Sequence, residues 1–200
     1  MTLKIGILIF DDAEELDFVG PYEVFTMAAA IKPDFCEVKL IAERDAPVRC
    51  AKGMRVLPDV TTADCGPLDV LLVPGGQGTR REVDNKKLLD WIATVAKTAR
   101  WITSVCTGAM LLTAAGPARG KRVTTHWAFI TALRERGEAA EVLEHYRYVQ
   151  DGNVVTSAGV SAGIDMALWL VGQLQDIPFA RTVQRRMEYE PLPPYGGLTQ

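Results

Sequence analysis

The stretch from Trp101 to Gly116 restricts the fold of this chain more than any other. Trp101 to Val105 is a short, mostly β-favouring run of the kind that fills a buried parallel strand. Ala109 to Ala115 is apolar and rich in helix formers, and Gly116-Pro117 stops it. Cys106 stands at the break. A sharp strand-to-helix turn lifts the side chain at its apex out of the sheet. It also aims the first N–H groups of the helix at whatever that side chain attacks. The positive end of the helix favours thiolate there, and Gly108 lets the turn be tight. A free cysteine is also a small hydrophobe, so position alone leaves both readings of Cys106 open.

The rest of the chain supplies a sheet for that turn. Lys4 to Phe10 reads as the first buried strand, ended by Asp11-Asp12. Leu16 to Ile31 reads as a helix with Pro21 in the first turn of its main body and Val24, Phe25 and Ala28 inward. Glu37 to Ala42 is a second strand. The segment from Glu43 to Asp69 reads as loops with a short hairpin around Met54 to Pro58. Asp69 to Val73 is the clearest buried strand, and Pro74-Gly75-Gly76 follows it directly. Asn85 to Lys97 is an amphipathic helix with Leu88, Leu89, Ile92 and Ala96 inward.

Beyond the Cys106 turn, Lys121 to Thr125 reads as a strand and Trp127 to Arg136 as a helix closed by Gly137. Tyr146 to Val149 and Val154 to Ser157 form a hairpin around Asp151-Gly152-Asn153. Val160 to Leu174 and Phe179 to Met187 are helices, and the proline- and glycine-rich tail after Glu190 is expected to be loose. Strands alternating with helices imply an α/β fold: a mostly parallel, doubly wound sheet with helices on both faces. The 200 residues, 48% of them hydrophobic, suit a single domain spanning 1–200 with a full core.

Function classes narrow in the same way. A net charge of −3 gives no electrostatic case for nucleic acid or an anionic membrane surface. The apolar N-terminal run is too short to span a bilayer, and no signal peptide is readable, so a cytoplasmic protein is expected. The cysteines are Cys36, Cys50, Cys65 and Cys106, and the histidines His126 and His145; none has metal-ligand spacing, so no metal is expected.

Sites in doubly wound sheets lie at the carboxyl ends of strands. Three such ends carry suitable residues: Asp11 to Asp17, Gly75-Gly76, and Cys106. The N–H groups of Gly75, Gly76 and Thr107 can form an oxyanion hole, although glycines equally well end a strand. Asp17 among Leu16, Phe18 and Val19 is either a desolvated carboxyl with raised pKa or a helix N-cap. Glu23 is a second carboxylate or a surface residue. His126, at the end of a predicted strand, is either a partner for Cys106 or a structural histidine; His145 reads as structural.

Taken together these pieces resemble the DJ-1/PfpI (ThiJ-like) superfamily. The resemblance lies in Ile7 to Phe10, Leu16 to Phe25, Val73 to Gly76, Ser104 to Ala109, Thr124 to Trp127 and Val155 to Asp165, in order along nearly the whole chain. It implies a flavodoxin-like three-layer sandwich, a homodimer, and a small-molecule substrate handled without metal or organic cofactor. Proteases and amidases of the superfamily carry a histidine directly after the nucleophile, where this chain has Thr107. Asp17 with Cys106-Thr107 is the pattern of the isonitrile hydratases, which implies hydration of an isonitrile to an N-substituted formamide, with Cys106 as nucleophile, Asp17 as acid–base group and Thr107 orienting thiol or water. Trp127 and residues near Gly159 are the candidates for the pocket lining. A glyoxalase or deglycase of the same superfamily and a non-enzymatic ligand or redox sensor are the alternatives. AraC-type regulators share these motifs, but no helix-turn-helix is readable after Glu190.

Overall fold

The computed structural model describes residues 2–191. From residue 192 on, the tail expected to be loose lies outside them. The chain opens with β1 (Leu3–Leu8), whose last four residues are fully buried, and α1 (Glu15–Ile31). β2 (Cys36–Ala42) follows, then a small antiparallel hairpin of β3 (Val48–Arg49) and β4 (Arg55–Val56), then β5 (Val60–Thr61). β6 (Val70–Val73) leads through α2 (Thr79–Glu82) and α3 (Lys86–Ala96) to β7 (Trp101–Val105) and α4 (Gly108–Ala115). The last third holds β8 (Arg122–Val123), α5 (Ile130–Glu135), β9 (Glu141–Val142), β10 (Tyr148–Asp151), β11 (Val154–Ser157), α6 (Ala162–Leu174) and α7 (Ile177–Arg186).

Seven strands form one sheet in the order β10-β11-β7-β6-β1-β2-β5. All neighbours are parallel except β10 and β11, which are joined by the expected tight turn with Gly152 at φ +63°. From β1 the chain crosses through α1 toward β2; from β6 it crosses through α3 in the opposite direction, toward β7. Right-handed crossovers running in opposite directions place their helices on opposite faces. α1 packs with α6 and α7 on one face, and α3 packs with α4 on the other. β6, the strand with the least solvent contact to manage, is Val-Leu-Leu-Val and buried throughout.

The reversal of direction falls between β1 and β6, and a doubly wound sheet opens a crevice at that point. There the loops after β1 and β6 are tied together. Ala13 and Gly76 form an isolated bridge, and the Glu14 N–H donates to the Gly75 carbonyl at 3.0 Å.

Several elements depart from the sequence reading. β5 adds an edge strand of two residues; Pro58 and Asp59 beside it hide so short a run. The expected strand at 121–125 shrinks to β8 and pairs with β9 outside the main sheet. Its last two residues are tethered sideways instead: Thr124 N–H donates to the Thr156 hydroxyl at 2.8 Å and the Thr125 hydroxyl to the Cys106 carbonyl at 2.8 Å. The helix expected from Trp127 is a 3-10 turn over Trp127–Phe129 before α5. Because α1 begins at Glu15, Pro21 lies inside the helix rather than in a first turn. Its missing N–H leaves the Asp17 carbonyl without its usual helical donor. Among the described residues no helix is long and apolar enough to cross a membrane.

Candidate active site

Cys106 is the apex of the turn between β7 and α4 and adopts φ +55°. A non-glycine residue in that region is strained, and such strain persists only where surrounding bonds hold it. Here the Cys106 N–H is shared between the carbonyls of Ser157 (3.2 Å) and Ala158 (3.1 Å), and its own carbonyl takes the Thr125 hydroxyl. The loop after β6 lies directly against the turn. A Cβ on Gly75 would stand 2.8 Å from the Cys106 Cβ and 2.7 Å from the Thr107 hydroxyl, so only glycine permits this approach.

Asp17, in the first turn of α1, is completely buried. Its carboxylate accepts from Gly75 N–H at 2.9 Å and from Val160 N–H at 3.2 Å, and the Cys106 thiol lies beside it, close enough to favour its charged form. Val160 makes its bond from φ +54°, a costly conformation for a β-branched side chain. Two strained residues, one on each side of the carboxyl, therefore converge on it. Burial pushes the Asp17 carboxyl up to about 7, against the two backbone donors and with a further push from Glu14. Burial, reinforced by the Asp17 charge, pushes the thiol up to about 12 despite the donors of Thr107. Desolvation and a neighbouring carboxylate thus work against the helix end that favours thiolate, and both push the thiol toward its protonated form. The pair shares a single negative charge at most near neutrality.

Thr107 is buried, with its hydroxyl accepting from the Gly76 N–H at 3.1 Å and lying 3.0 Å from the Thr79 hydroxyl, which also reaches the Gly76 carbonyl at 2.8 Å. The Thr107 proton reaches the Gly76 carbonyl at 3.3 Å, and the hydroxyl dipole lies close enough to the Cys106 sulfur to favour thiolate. This corrects the expectation of open glycine donors. The Gly75 N–H is engaged by Asp17 and the Gly76 N–H by Thr107, so neither faces an incoming group. Thr107 N–H, directed at the sulfur, is the remaining backbone donor of that set.

Above the thiol lies a cavity of about 130 Å³ bounded by Cys106, Thr107, Glu14, Arg80, His126 and Phe129, among others. His126 is on the wall but makes no hydrogen bond to Cys106 or Asp17; its Nδ1 caps the Ala128 N–H at 3.2 Å. Glu23 lies further along α1, outside this lining. Among the described residues no cluster of three or more His, Cys, Asp or Glu side chains is placed to hold a metal ion.

The DJ-1/PfpI family pattern matches residues 3–173. The chain belongs to that family. It is 43% identical over 195 residues to isonitrile hydratase of Pseudomonas putida, covering 98% of this chain and 82% of that protein. It is 27% identical over 172 residues to a glutathione-independent glyoxalase of Caenorhabditis elegans, covering 82% of this chain and 84% of that protein. A THiJ/PfpI family protein from Pseudomonas syringae superposes with TM-score 0.88 at 32% identity, covering 98% of this chain and 78% of that one.

Within this DJ-1/PfpI site, three contributors carry no sequence signal strong enough to find them. Arg80 donates to the Gly76 carbonyl at 2.7 Å and lays its guanidinium 4.3 Å over the Phe129 ring. Thr79 braces Thr107. Both sit on the four-residue α2, which follows the glycines too closely to show a helical period. Val160 contributes its backbone N–H to Asp17, and nothing about a valine predicts positive φ.

Proposed function

We propose that this protein is a cysteine-dependent hydro-lyase that hydrates isonitriles to N-substituted formamides. The observation that carries the reading is the buried Asp17 carboxyl beside the buried Cys106 thiol at the strained turn. The enzyme named isonitrile hydratase, 43% identical to this chain, supports the choice of substrate.

The geometry suits a proton shuttle. Asp17 as carboxylate accepts the thiol proton while the sulfur attacks the terminal carbon of R–N≡C. Asp17 returns that proton to the carbon, which leaves a thioimidate, R–N=CH–S–Cys106. Water then adds at the same carbon, its proton passing through Asp17 to the nitrogen. The C–S bond breaks, the hydroxyl proton returns to sulfur, and R–NH–CHO leaves. One water is consumed and the thiol is regenerated. A carboxyl with pKa near 7 serves in both directions. Thr107 orients the sulfur through its hydroxyl and N–H.

The same reading has the chain acting in the cytoplasm as a homodimer. α1 supports the latter: it is apolar on most sides, and Leu16 and Val19 remain over a third exposed beside the site.

The test is to mix protein with cyclohexyl isocyanide and follow N-cyclohexylformamide by chromatography, with Cys106→Ala as control. Formamide made by the wild type and lost in the variant is the expected result. Reduced wild-type protein that makes none, yet consumes a small dicarbonyl, would replace this reading with the glyoxalase one.

A further inference from the structure

A second cleft of about 390 Å³ adjoins the thiol cavity. The two share His126 as a common wall, and consecutive residues, Gly159 and Val160, line one and the other. Gly159 makes this partition possible: a Cβ there would run into the His126 ring. The cleft is flanked by Trp127, 81% exposed, and Tyr146, 57% exposed, with Ile130 between wall and core. Exposed aromatics rimming a concavity mark a binding surface.

The charges around the cleft are already matched. Glu144 pairs with Arg134 at 2.6 Å, and Arg147 pairs with Asp165 at 2.6 Å. His145, also on the wall, lies 3.9 Å from Glu144. With its charged groups partnered in this way, the cleft offers its aromatic rim chiefly to a neutral, flat or hydrocarbon ligand. The smaller cavity above Cys106 has room for a reacting group and little else.

Building on the isonitrile reading, we propose that this cleft receives the neutral hydrocarbon substituent of the substrate, packed between Trp127 and Tyr146, while the reactive carbon passes His126 to reach Cys106. Trp127 and Tyr146 are then specificity residues, remote from the bond changes.

The experiment compares methyl and benzyl isocyanide on wild type, Trp127→Ala and Tyr146→Ala. Both replaced side chains are largely exposed, so the variants should fold. KM for the benzyl substrate is expected to rise about tenfold, with kcat and the methyl KM within about twofold. A second readout does not depend on turnover: alkylation of Cys106 by iodoacetamide and by N-benzyliodoacetamide, followed by mass spectrometry. Wild type should favour the benzyl reagent, and both variants should lose that preference. Altered alkylation ratios without any isonitrile turnover would remove the proposed activity and keep the cleft. Turnover with both KM values and both alkylation ratios unchanged in the variants would remove the cleft and keep the activity.

Discussion

Cys36 and Cys106 are both buried thiols, both at the ends of sheet strands, and both pushed up to about 12. Cys36 gets there by burial alone, on an ordinary strand, with its sulfur against the Phe25 carbonyl at 3.4 Å. Cys106 gets there by burial and an adjacent carboxylate, at a strained turn, beside a cavity. A weakly acidic thiol is therefore no mark against reactivity, nor one for it. What separates the two is a group able to take the proton at the moment the sulfur needs to lose it, and space for the atom it attacks. Asp17 supplies the first and the neighbouring cavity the second; Cys36 has neither.

The sharpest way to break that contrast is to remove each sulfur. Cys106→Ala is expected to abolish formamide production, and Cys36→Ala to retain at least half of it, as measured by initial rates on folded protein. Comparable losses would erase the distinction.

Removing the proton acceptor comes next. Asp17→Asn should lower kcat by about 100- to 10,000-fold. Wild-type kcat/KM should fall on the acid side with a midpoint near 7 as Asp17 takes up a proton, and this limb should vanish from the residual activity of the variant. A wild-type profile flat from pH 5 to 9 would deny Asp17 the role.

The same carboxyl makes a stability prediction with a definite sign. Its pKa stands at 3.8 when exposed and about 7 when folded, so ionising it opposes folding. Wild type should be at its best relative to Asp17→Asn near pH 4, lose ground as pH rises to 7, and stay level above. The swing is on the order of a few kcal/mol, or roughly 5–10 °C in Tm. Thermal unfolding of both proteins across that range measures it. Cys36→Ala, lacking a charged partner at the sulfur, should show no such pH-dependent difference from wild type.

Smallest is the hydroxyl that steers the sulfur. Thr107→Val should slow turnover about 5- to 30-fold, the worth of one or two hydrogen bonds. An unchanged rate would leave the backbone N–H as the only contribution of Thr107.

Much of this was legible in the chain. Long apolar runs such as Val70–Val73 and Trp101–Val105 declare themselves, and so does a cysteine caught between strand and helix. Asp17 was legible as a carboxyl in apolar company, and its partnership with the thiol only through the family resemblance. What escaped was shorter than any period or made by backbone. β5 and α2 are too brief to show a repeat, His126 turned out to cap a turn where a Cys–His pair was equally conceivable, and the engagement of the Gly75 and Gly76 N–H groups depends on side chains from distant segments.

That distance has a consequence for how the protein comes into being. The bond from Val160 to Asp17 joins residues 143 apart in the chain, and the one from Gly75 joins residues 58 apart. Contacts of such separation carry the larger loop-closure cost and form only when the intervening chain is brought together. Until they do, Asp17 is an ordinary exposed acid and Cys106 an ordinary thiol, neither holding the other's proton. The chemistry thus requires both distant contacts, and activity doubles as a gauge of whether both ends of the sequence have found the sheet.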